Sequence, residues 1–142
     1  MTPGAQVAAA IDILTAIDTG DRPADDAAAD YFRRRRYIGA KDRAHIAGHV
    51  YPVLRHRAAL DWWIGKYRVD VEPRSRVMAA LVLIEGWRPE TIVACCDGDR
   101  FRPTRLSEAE ERLVRGLTAR TLHHPEMPRA VANDLPEWLV PY

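Results

Sequence analysis

Apolar residues recur along this chain at three- and four-residue intervals, and no segment sustains strict alternation. The pattern therefore predicts helices throughout. Val7, Ala10, Ile11, Leu14 and Ile17 form one stripe. Thr2 suits the cap before it, Pro3 the first turn and Gly20 the end. The segment "ADDAAADYFRRRR" (24–36) reads as a second helix, with acids in its first turn and arginines in its last, the order the helix dipole favours.

A third helix is expected from near Gly39. On a helical wheel, Ala44, Ile46, Ala47, Val50, Tyr51, Val53 and Leu54 fall on one half, and Lys41, His45, His49, Arg55 and His56 on the other. Arg43 projects into the apolar half, so it is expected to be structural and to seek an acceptor on another helix. Pro52 lacks an N–H and crowds the carbonyl of Gly48, which predicts a bend. A fourth helix carries Leu60, Trp63, Ile64 and Tyr67 inward and turns Trp62 elsewhere, against a neighbouring helix or another domain. Ala44, Ala47, Tyr51, Leu54, Leu60 and Trp63 are the core expected from these two helices.

After Pro73, "RVMAALVLIEGW" is apolar on nearly all sides and belongs at the centre of a bundle. Gly86 and Pro89 lead into a short helix, "PETIVACCDG". "SEAEERLVRGL" follows, with Ser107 and Glu110 spaced as a capping box. The expected fold is an all-α bundle of about seven helices around one core, over residues 1–142, with 126–142 starting a linker.

Composition narrows the chemistry. The 142 residues are 47% hydrophobic, enough for one core. No apolar run is long enough to span a bilayer, and the first twenty residues lack the pattern of a secretion signal, so a cytoplasmic setting is expected. The eight glycines include no GxG pair, and there is no HExxH or CxxC. Cys95 and Cys96 have no local base and read as core residues. His123, His124 and Glu126 read as an exposed turn rather than a metal site.

The net charge of +1 conceals an uneven distribution. Arg33, Arg34, Arg35, Arg36, Lys41, Arg43, Arg55 and Arg57 face a single acid, Asp42, within that span, and the rest of the chain is acidic. Basic residues clustered this way offer contacts to phosphates. The same run also reads as a solvated helix end. The candidate RNA-binding residues are Arg33, Arg34, Arg35, Arg36, Lys41, His45, His49, Arg55 and Arg57, expected to lie near one another on the surface.

The stretch "DRAHIAGHVYPVLRHRAALDWWI" resembles the signature segment of NusB-like helical domains, with Asp42, Arg43, Ala44, Tyr51, Val53, Leu54, Arg55, Leu60 and Asp61 matching in order. Pro52 stands where that pattern has glycine. The opening "GAQVAAAIDILTAI", the continuation "RHRAALDWWI" and the ending "LPEWLV" resemble the N-terminal domain of the Sun/Fmu family of ribosomal RNA 5-methylcytosine methyltransferases. The resemblance implies an RNA-positioning accessory domain without activity of its own. Its partners would be ribosomal RNA and a methyltransferase domain after Tyr142, and neither DNA nor a membrane is expected. S-adenosylmethionine would be the cofactor of the parent enzyme, with none held by this chain. The family's catalytic cysteines belong to the catalytic domain, so Cys95 and Cys96 do not inherit their role. Two other readings stand beside this one: a free-standing NusB-type antitermination factor, and a helical protein–protein adaptor.

Overall fold

A computed structural model describes residues 1–133. The described chain is all-helical: α1 (Pro3–Thr19), α2 (Ala24–Arg33), α3 (Ala40–Arg55), α4 (Arg57–Lys66), α5 (Pro73–Leu83), α6 (Pro89–Cys95), α7 (Glu108–Leu117) and the single turn α8 (Arg129–Ala132). The start signals act as their chemistry predicts. The Thr2 hydroxyl accepts from the Ala5 amide, and Ser107 and Glu110 form the reciprocal capping box.

α5 is buried along its whole length from Ser75 to Val82, and α1, α3, α4 and α7 pack around it. Its one buried charge is Arg76, only 7% exposed. The Arg76 guanidinium donates to Asp61 on α4 at 2.8 and 3.3 Å and to Asp18 on α1 at 2.9 Å. Burial works against that charge, but hydrogen bonding to Asp61 and the charges of both carboxylates overcome it, and its pKa lies above the ordinary value. One side chain thus fixes three helices relative to one another.

α2 differs from expectation by ending at Arg33 rather than running through Arg36. The chain leaves the helix because Ile38 must reach the core, where it is buried, and the Ile38 amide closes a turn onto the Arg35 carbonyl at 3.0 Å.

α3 is rotated from its expected phase. Ile46, His49, Val50 and Val53 face inward, whereas Ala44 is exposed, Tyr51 is 40% exposed, and Ala47 and Leu54 are half-buried. Two distant acids account for the rotation. Glu85, just past α5, lies 2.7 Å from His49 Nδ1 and so satisfies an inward histidine. Asp25 accepts from the Tyr51 hydroxyl at 2.7 Å and holds that ring at the surface. Arg43 is structural, but its acceptor is not on another helix: Nε donates to the Ile38 carbonyl at 2.8 Å, and the guanidinium lies over the Phe32 ring. Pro52 stands in the last turn of α3, and only His56 separates α3 from α4.

In α4, Leu60, Trp63 and Ile64 are buried as expected, and the Trp63 indole donates to the Leu122 carbonyl at 2.7 Å. Trp62 packs edge-on against Trp63 and beside the His124 ring. The 126–133 stretch, where a linker is expected to begin, makes contacts with the helices before it. Met127 joins the core, and α8 packs on α4. The "LPEWLV" element lies outside the described residues.

Three stability predictions follow from this packing. Arg76→Ala strands Asp61 and Asp18, which keep partial solvent contact. The loss should therefore fall below that of a fully buried pair, at about 2–3 kcal/mol in urea unfolding. Leu60→Ala should cost about 2–5 kcal/mol, and Leu54→Ala, at a half-buried site, less.

The third prediction concerns Glu110. Burial raises its pKa, but the Arg74 guanidinium at 2.7 Å and the Ser107 amide more than compensate, leaving it below its usual 4.5. A lowered folded-state pKa stabilises above the unfolded value, and the contribution is lost as pH falls through the folded one. Glu110→Gln should therefore lower the melting temperature at pH 7. The difference from wild type should close progressively below about pH 4.5.

Candidate nucleic-acid interface

The tertiary contacts assign directions to the first three helices. Gln6 near the start of α1 donates to Asp42 at 2.9 Å and contacts His45 at 3.1 Å, so α1 and α3 begin at the same end. Tyr51, late in α3, meets Asp25, early in α2, so α2 runs antiparallel to both. The turn between α2 and α3 therefore sits at the end of the bundle where α1 and α3 start. Arg55 and Arg57 lie at the opposite end, about 21 Å from Lys41 along the axis at 1.5 Å per residue.

The nine candidates do not form one patch. Arg33, Arg34, Arg35, Arg36 and Lys41 gather at the α2–α3 turn. Asp30 pairs with Arg34 at 3.2 Å and with Arg33 at 3.6 Å. Arg36 and Lys41 are exposed and form no ion pair among the described residues. Arg35 stacks over the Tyr31 ring, 3.7 Å from its centroid, and donates to the Tyr31 carbonyl. His45 is exposed beside Gln6. His49, only 6% exposed, packs edge-on against Trp87 and cannot contribute to a surface patch. At the far end Arg57 pairs with Asp18 at 3.3 Å, and Arg55 is exposed.

The structure adds residues that the charge run does not indicate. A cleft of about 640 Å³ opens beside the basic turn, floored by Ala5, Ala8 and Ala9 of α1. Tyr31, Arg35 and Tyr37 form one wall, and Arg100, Phe101 and Arg102 another. The second wall belongs to the 97–103 loop. That loop is closed by the Gly98 amide on the Pro103 carbonyl at 3.0 Å and by the Arg102 amide on the Asp99 carbonyl at 2.9 Å.

Gly4 lets this loop approach α1. A Cβ there would lie 2.7 Å from the Cys95 carbonyl and 3.1 Å from the Arg102 side chain. The one acid lining the cleft, Asp12, accepts from the Tyr31 hydroxyl at 3.5 Å. Desolvation pushes its carboxyl up, opposed by the Arg35 charge and the Tyr31 hydroxyl. The sequence signal for this wall is an aromatic between two arginines, "RFR", set between an Asp-Gly turn and a proline.

The cysteines stay outside this surface chemistry. Burial pushes the Cys96 thiol up to about 11 and raises Cys95, the reverse of an activated nucleophile. His124 is engaged by Trp62, and its Nδ1 accepts from the Glu126 amide at 3.0 Å. No helix among the described residues is long and apolar enough to cross a membrane. Comparison of the chain with family models, curated proteins and solved structures found no match.

Proposed function

We propose that this chain is an RNA-binding accessory domain of an S-adenosylmethionine-dependent ribosomal RNA 5-methylcytosine methyltransferase. The observation that carries the RNA-binding part is the basic turn between α2 and α3. Five cations stand together there; among the described residues Asp30 is the only carboxylate within ion-pair distance of any of them, and Arg36 and Lys41 have no acidic partner. Unneutralised cations on a fixed scaffold release counterions from a nucleic-acid backbone on contact, which gives affinity without base specificity.

The methyltransferase part rests on the resemblance of the opening "GAQVAAAIDILTAI", the continuation "RHRAALDWWI" and the ending "LPEWLV". The described residues contain no strand, so they do not fit the parallel-sheet pocket that would hold a methyl donor. On this reading the donor and the chemistry belong to another domain, and this domain contributes RNA affinity and orientation.

The geometry selects which charges to reverse. Arg36→Glu with Lys41→Glu should weaken binding of a single-stranded RNA. The slope of log affinity against log salt should shrink by about 1.4, since each lost phosphate contact removes about 0.7. Arg55→Glu with Arg57→Glu, at the far end of α3, should change both much less. In the full-length protein the first pair should raise the KM for RNA and leave the KM for the methyl donor in place. Unchanged affinity and salt slope in the Arg36/Lys41 variant would contradict the proposal.

A further inference from the structure

Five large hydrophobic residues are exposed among the described residues, and three of them, Met1, Tyr37 and Phe101, line the cleft beside the basic turn. Tyr37 is 78% exposed and Phe101 71%. Folding gains little from an aromatic ring left in water, so packing does not explain either residue.

Phe101 is also held at a φ of +66°. A bulky residue with a Cβ pays about 1–2 kcal/mol for that conformation, and an exposed ring returns none of it through burial. The 97–103 loop imposes the conformation through its two closing hydrogen bonds, and Gly4 lets the loop rest against α1. Phe101 is thus presented to solvent at the edge of the cleft by a backbone conformation that the loop imposes.

The cleft's charge identifies the kind of ligand. Arg35, Arg100 and Arg102 line it against one carboxylate, Asp12. Arg102 is partly neutralised by Asp97, and Arg100 lies over the face of the Phe101 ring, 4.8 Å from its centroid. Exposed aromatic rings beside guanidinium groups, over an alanine floor that admits a flat group, suit an unstacked base with its phosphate. A duplex offers no free base face to such a cleft.

We infer that the cleft between α1, the α2–α3 turn and the 97–103 loop is a nucleotide subsite for single-stranded RNA, in which Phe101 and Tyr37 stack on bases and Arg35 and Arg100 contact phosphate. This inference deepens the RNA-binding reading and rests on it. The basic turn supplies backbone affinity, and the cleft adds a contribution that depends on bases.

The test is a fluorescence titration of this chain with a short single-stranded RNA and with an abasic oligonucleotide of the same length and charge. Wild type should bind the base-containing strand at least several-fold more tightly than the abasic one. Phe101→Ala should weaken the base-containing strand roughly fivefold to a hundredfold, Tyr37→Ala should act in the same direction, and both should leave the abasic strand nearly unchanged. Both rings are exposed, so the variants should fold, and coincident thermal melts would confirm it.

If RNA binds but the abasic strand binds equally well and neither substitution matters, the subsite is overturned while the RNA-binding reading stands. If no RNA binds, or if only a protein partner occupies the cleft, both fall.

Discussion

The architecture depends on a charge buried at the start of the central helix. α5 has no solvent-facing side from Ser75 to Val82, so whatever polar group it carries inside must be satisfied by its neighbours. Arg76 meets that demand with Asp18 from the end of α1 and Asp61 from α4. A buried ion pair contributes little net stability by itself, but one guanidinium forked between two helices permits few alternative arrangements. With the end of α1 tied at Asp18, its beginning is left at the other end of the bundle. There Gln6 joins it to Asp42 and Gly4 receives the 97–103 loop. The cleft is assembled from these far ends.

Those two ends of the bundle also sort the cations. Near α5's Arg76, Asp18 is shared with Arg57, so a carboxylate already serves the basic residues there. At the α2–α3 turn the balance reverses: among the described residues Asp30 is the one carboxylate in ion-pair contact with the five cations. A chain of nearly neutral total charge can therefore present one cationic end. The aromatic rings most exposed to water lie at that same end.

Much of the helical plan could be read from the sequence because its signals are local. Thr2, Pro3 and the Ser107–Glu110 pair act on backbone groups within one turn of themselves. The all-round apolar run of α5 likewise states its own position. The phase of α3 could not be read this way, because inward His49 depends on Glu85, thirty-six residues on, and outward Tyr51 depends on Asp25. The basic run failed as a single patch for a related reason: closeness in sequence placed Arg55 and Arg57 with Arg36, whereas sixteen residues of helix hold them apart. Phe101 gave the weakest signal, since its significance lies in a backbone angle and in a cleft built by three separate segments.

The surface that RNA covers can be mapped directly. Backbone amide chemical shifts recorded by NMR during titration with a short single-stranded RNA would locate the contact without any substitution. The changes should concentrate at Ala5, Ala8, Arg35, Tyr37, Arg100, Phe101 and Arg102, with smaller ones at Arg36 and Lys41. Changes concentrated instead around Arg55 and Arg57, with the cleft residues unmoved, would contradict the cleft as the RNA site.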